Sequence, residues 1–390
     1  MPGSVPLKVD MHVHVGVLGD DPEFEKYGAI SKWMRTQPVY RVMLLYAKIE
    51  PDQASDKVLR DAVLRTIASS GIDHMVCLAL DPVFDTDGVM RRERSNMWVG
   101  NEYITEVLRP ASSGKILLGA SVHPYDPMFE ERVEQCLENE AVLLKWLPSA
   151  QQINLADDKV RSALEFLGRV GRQGHPLPLL LHVGAEYAIM TTDVRTTSYD
   201  FLSWEFWDRV GNALRRKRAK WHVPDVPKVL ANLRAGLDAG ASIILAHCGL
   251  PYFAPRFARF LEHSDLAAVE RLLHETVASP QRPGKCYADV SACVTPFRKG
   301  YFKDIRRLPE SLLLAGSDFP VPVFELSANL GENLQDFEAM ILRGEVDRIL
   351  VPEDNLLDVN WRELKHFFGE HAMFRNAERV FHLPDRVTTP

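Results

Sequence analysis

Eight short apolar runs, several of them rich in leucine or β-branched residues, alternate along this chain with longer stretches of helical periodicity. The runs are Leu7–His12, His74–Leu80, Ile116–Val122, Val142–Leu147, Leu177–His182, Ser242–His247, Cys286–Ser291 and Leu312–Asp318. Segments such as LPLLLH and SIILAH are apolar at nearly every position, as strands buried on both faces must be. Repeated βα units of this kind build a parallel sheet, and eight of them predict a closed (β/α)8 barrel rather than an open sheet. Helices are predicted between them, for instance at Asp157–Val170 and Val226–Ala239, each followed by a glycine where the chain turns back.

Two connections exceed a plain βα loop: Gly16 to about Asp56, after the first strand, and Gly184 to about Pro224, after the fifth, carrying Trp204, Trp207 and Trp221. Loops after barrel strands surround the active end, so both insertions are expected to form lids and pocket walls within a single domain, residues 1–390. With 46% hydrophobic and 25% charged residues the chain has the balance of a packed water-soluble protein. Its 46 basic residues against 53 acidic ones are spread along the chain, which argues against nucleic-acid or anionic-membrane binding. The one dense basic stretch, LRRKRAKW around Arg215–Lys220, reads as the solvated end of a helix. Five cysteines without a CxxC pair read as free thiols, and no secretory leader or bilayer-length apolar window is present, so a cytoplasmic location is expected.

Metal-competent side chains recur at one place, the C-terminal end of a predicted strand, which is where barrel enzymes carry their chemistry. His12 and His14 in DMHVHVG share a strand face, so both imidazoles can reach one ion. His182 ends LPLLLH, His247 ends SIILAH, and Asp318 lies in LLLAGSDFP. A single such residue is commonly a satisfied core histidine or a capping aspartate. Five converging on one mouth need mutual hydrogen bonds or a cation, because an uncompensated buried imidazole or carboxylate is costly. Lys145 in AVLLKWLPSA points to the same mouth; beside a dication it is expected to be neutral, carboxylated or turned to an anionic substrate, the alternative being a rim lysine whose head reaches water. His123, with Asp126 in SVHPYDP, and Trp146, Glu186 and Tyr187 are expected to face substrate, and Asp289 either orients a ligand histidine or caps a helix.

The order of HxH, Lys, His, His and Asp, with the wording DMHVHVG, KWLPSAQQIN, LLLHVG, ILAHCG, YADVSA, LLAGSDFP and NAERVFHL, resembles the amidohydrolase superfamily, in particular its amidohydrolase family 2 branch. The resemblance runs from Asp10 to about Leu383. It implies metal ligation by His12, His14, His182 and Asp318, with Asp318 also taking a proton from attacking water. It makes His247 either the ligand of a second ion or the residue that orients and deprotonates the water, and Lys145 a carboxylated bridge in two-metal members. The implied reaction is hydrolysis of an amide, lactone or ester; the alternative is non-oxidative decarboxylation of an aromatic or unsaturated acid. One or two divalent ions are expected, zinc first and manganese, iron or nickel on the same ligands. The expected partner is a small-molecule substrate, with self-association into a homo-oligomer left open.

Overall fold

A computed structural model describes residues 6–184, 189, 199–203, 224–250, 264–295, 298–328 and 351–383. Eight parallel strands form one sheet in the order β1 (Val9–His14), β3 (His74–Leu78), β5 (Ile116–Ala120), β6 (Leu143–Trp146), β7 (Leu179–Leu181), β8 (Ile243–Leu245), β9 (Cys286–Asp289) and β10 (Leu313–Leu314). The last strand is only two residues long, and the segment after it completes the circle. The Met11 N–H donates to Ala315 O at 3.3 Å, the Asp318 N–H to His12 O at 2.8 Å and the His14 N–H to Phe319 O at 2.7 Å. The (β/α)8 barrel expected from the eight runs is therefore the fold, and each strand lies within or beside its predicted run. The first is shifted, ending at His14 rather than His12.

Alternation along the strands sorts the side chains. On β1, Asp10, His12 and His14 share the interior face while Met11 and Val13 pack outward against the helix layer. The helix Asp158–Arg172 starts on Asp157, whose side chain accepts from the Lys159 N–H, and Val226–Ala239 stops at Gly240 with φ +108. These two helices pack very closely: a Cβ on Gly168 would lie 2.6 Å from the Ala239 backbone. Among the described residues no helix is long and apolar enough to cross a membrane, and all five cysteines are buried and free.

The insertion after β1 builds structure of its own. β2 (Gly28–Ile30) pairs antiparallel with β4 (Met97–Val99), and two helices, Lys32–Arg35 and Pro38–Tyr46, follow. The buried Asp56 carboxylate fastens its start by accepting from the N–H groups of Leu18, Gly19, Asp20 and Asp21. Leu18, Ile30, Met34, Tyr40, Leu44, Ile49, Leu59 and Ala62 form a small apolar cluster distinct from the main core. Of the insertion after the fifth barrel strand only Ile189 and Tyr199–Ser203 are described; Trp204, Trp207, Trp221 and the basic stretch lie outside the described residues.

Candidate metal centre

His12 is fully buried on β1, and its two ring nitrogens face different partners. Nδ1 stands 2.9 Å from Asp289 Oδ2. The Asp289 carboxyl is held below the usual carboxylate range: burial opposes ionisation, but the His12 and His247 imidazoles and the Ser291 hydroxyl together outweigh it. An ionised Asp289 fixes the His12 proton on Nδ1 and leaves a lone pair on Nε2. That lone pair points at His14 Nε2, 3.2 Å away, and at Asp318 Oδ1, 3.1 Å away; Asp318 Oδ1 is also 3.1 Å from His14 Nε2.

Three electron-rich atoms therefore form a triangle with edges of 3.1–3.2 Å. Donors bound to one ion at about 2.1 Å stand roughly 3.0 to 3.4 Å apart, so the triangle has the dimensions of a coordination face. Asp318 Oδ1 is buried with these two imidazole nitrogens as its neighbours, and three lone pairs facing one another cost free energy unless a proton or a cation sits among them. Burial raises the Asp318 carboxyl, yet the neighbouring imidazoles, His247 foremost, hold it well below the ordinary range. Burial drives the His12 imidazole down and the His247 imidazole down to about 3. Ionised carboxylate and neutral imidazole are the states a divalent ion requires. A second grouping, His12, His247 and Asp289, uses the nitrogen of His12 that Asp289 already occupies.

His247 flanks the triangle. Its Nε2 is 3.9 Å from Asp318 Oδ2 and its ring stacks on that of His12 with centroids 5.1 Å apart. Ser291 Oγ lies 2.8 Å from His247 Nδ1, and the His247 N–H donates to Asp289 Oδ1 at 2.9 Å. These contacts hold His247 at φ 56; Asp318, held by its own N–H bond to His12 O, sits at φ 66. Non-glycine residues rarely adopt such angles, which concentrate at functional sites. Lys145 is 1% exposed, with Nζ 3.5 Å from His12 Nε2; it is an interior residue at the triangle, and the rim alternative fails. His182 stands one step back, its ring 5.2 Å from that of His247 and its Nε2 3.8 Å from Asp200 Oδ2.

The expected substrate-facing residues fall elsewhere. His123 is spent on the main chain: Nε2 is 2.9 Å from Gln151 O and Nδ1 accepts from the Tyr125 N–H at 3.1 Å. It shapes the loop after β5 and lines no described cavity. Trp146 follows Lys145 on the strand and so points to the helix layer, donating to Val122 O at 2.8 Å and packing beside Phe129. Asp126 accepts from Arg132, which also clasps Asp81. Glu186 and Tyr187 lie outside the described residues. Two residues at the site were not anticipated. Asp200, fully buried, faces His182, and Arg298, 2% exposed, lines the cavity. Neither stands at a strand end, which is the signal that found the others.

The cavity opens from His14, His182, His247 and Asp318 and is otherwise walled mainly by apolar side chains, many of them from the first insertion.

No family model matches the chain, and no curated protein matches it. Among solved structures it is similar to amidohydrolase 2 from Bifidobacterium longum subsp. infantis, at 15% identity over 97% of this chain and 99% of that one, with a TM-score of 0.45. It is also similar to the manganese-bound 5-carboxyvanillate decarboxylase LigW2 from Novosphingobium aromaticivorans, at 12% identity over 97% of each chain and a TM-score of 0.44. A third, N-acetyl-D-glucosamine-6-phosphate deacetylase from Mycobacterium smegmatis, has 13% identity over 97% of this chain and 78% of that one, with a TM-score of 0.37. Likenesses this distant bear on neither family nor activity.

Proposed function

We propose that the chain is a metal-dependent hydrolase that uses activated water on an amide, lactone or ester of a small molecule. The observation that carries this reading is the 3.1–3.2 Å triangle of His12, His14 and Asp318 at the open end of the barrel. In this reading His12, His14, His182 and Asp318 would hold a divalent ion, zinc or manganese; with a second ion, carboxylated Lys145 and His247 would help to hold it, and with one ion His247 acts on the water. When bound, such an ion lowers the pKa of water toward neutrality and polarises a carbonyl oxygen. Asp318 takes the water's proton on its carboxylate, and His247 Nε2, 3.9 Å from Oδ2, orients the water and relays that proton toward the leaving group. Ser291 and Asp289 keep the His247 ring in position for that transfer.

One observation favours a second reading. Arg298, buried and donating from Nη1 to Ala292 O at 3.1 Å, also lines the cavity, where a guanidinium suits a substrate carboxylate and so decarboxylation of an aromatic or unsaturated acid. Metal analysis of protein purified without chelator, with a substrate panel scored separately for hydrolysis and for carbon dioxide release, separates the two. At least one ion per chain is expected, falling by most of its occupancy in His12→Ala and His14→Ala while circular dichroism stays that of a folded barrel. Unchanged stoichiometry in both variants overturns the metal site; carbon dioxide release without hydrolysis selects the lyase.

A further inference from the structure

The cavity does not end at the metal ligands. It continues into a chamber whose described walls, away from those ligands and Arg298, are almost wholly apolar, with Ile30, Tyr40, Leu44, Ile49, Leu59 and Met97 contributing. Most of these belong to the small cluster built by the first insertion and the helix Asp56–Ser69, not to the barrel core. An insertion that only capped the barrel would gain by packing this space shut, because unfilled apolar volume forfeits dispersion contacts and destabilises in proportion to its size. Water gains little there, since it needs several polar partners that these walls lack. The insertion that walls the chamber is tied in place by the Asp56 clamp on Leu18–Asp21 and by Arg35, which donates to Ile30 O at 2.9 Å and Leu18 O at 2.6 Å.

We propose that this chamber receives an extended apolar substituent of the substrate, an acyl chain, while the reacting carbonyl or carboxyl carbon lies at the His14–Asp318 end. The inference rests on the proposed metal-dependent reaction for its polar end, and on the chamber alone for its apolar end. Each methylene seated there leaves water for an apolar wall, which raises affinity about fourfold per carbon. Ala47 and Val63 are half-buried members of the chamber wall, small enough that a larger side chain at Ala47 would take up room in it.

The test is isothermal titration of straight-chain alkanoic acids from four to ten carbons, on zinc-loaded protein and on protein stripped with chelator. Affinity should rise about fourfold per carbon and then level off. In Ala47→Phe the plateau should arrive at a shorter chain, and in Leu59→Ala, which enlarges the chamber, at a longer one; opposite shifts cannot both come from loss of fold. Affinity independent of chain length, or a plateau that neither variant moves, overturns the proposal. A chain-length dependence that survives in stripped protein while no metal-dependent turnover is found leaves the chamber standing and rejects the catalytic reading, so the two failures are distinguishable.

Discussion

Asp289→Asn tests the logic of the site most sharply, because Asp289 touches two of its histidines without facing the cavity. Its Oδ2 receives the His12 Nδ1 proton at 2.9 Å, and its Oδ1 accepts from the N–H groups of His247 at 2.9 Å and Ser291 at 3.0 Å. An asparagine has one acceptor oxygen for these two sides. If that oxygen keeps His12, its amide hydrogens are driven against two backbone N–H groups, and a buried donor left unmatched costs about 1–3 kcal/mol. If the amide flips, its NH2 faces His12 Nδ1, moves the imidazole proton to Nε2 and removes the lone pair aimed at His14 and Asp318. Loss of a carboxylate that orients a ligand histidine weakens metal binding about 10- to 100-fold, which is roughly 1.4 to 2.7 kcal/mol. Competition against a chromophoric chelator measures the metal affinity, and urea denaturation of stripped protein measures the stability. A variant within twofold of wild type in metal Kd and unchanged in urea midpoint would refute the assignment of the His12 tautomer and with it the triangle.

Three further outcomes are expected. Asp318→Asn should keep part of its metal through the amide oxygen while kcat falls by several orders of magnitude, as loss of both charge and proton acceptor requires; wild-type kcat would identify another base. Lys145→Ala, scored by metal analysis, should lower the stoichiometry from about two ions to one or none if the lysine bridges as a carbamate. If the lysine is an ammonium it should instead raise KM for an anionic substrate with one ion retained; no change in metal, KM or kcat would leave Lys145 without a role in the site. The third concerns pH. Burial pushes the His123 imidazole down to about 4, and the neutral ring is the form whose Nδ1 accepts from the Tyr125 N–H. The folded state therefore binds fewer protons than the unfolded one between about pH 4 and 6.5, and stability is lost as pH falls through that window, by about 3 kcal/mol in all. Urea titrations of stripped His123→Phe at several pH values should show a flatter slope there than wild type; an equal slope would refute the account.

The barrel was legible because buried parallel strands cannot hide: LPLLLH and SIILAH have no polar face to confuse their period. The side chains that meet at the barrel mouth were legible for a related reason, since a histidine or aspartate ending such a run points into it. β2 and β4 were not, at three residues each, because their pairing is set by distant partners such as Ile30 and Met97 and leaves no local pattern. His123 misled because a histidine after a strand looks the same whether its nitrogens meet substrate or, as here, the carbonyl of Gln151. Trp146 was assigned by adjacency to Lys145, whereas alternation sends neighbours on a strand to opposite faces. Arg298 was missed because it enters from a loop, where the run of apolar residues that marks a strand end is absent.

The way the cylinder is shut has a mechanical consequence. Its first and last strands meet not along a full ladder but through Met11, His14 and residues 315–319, and the carboxylate of the triangle sits in that join. His12 and His14 belong to one side of it and Asp318 to the other, so an ion held by all three would act as a buckle across that join. Chelation should then loosen the protein at that line first, with amide protons of His14 and Asp318 exchanging sooner while those of β5 and β6 on the far side keep their pace.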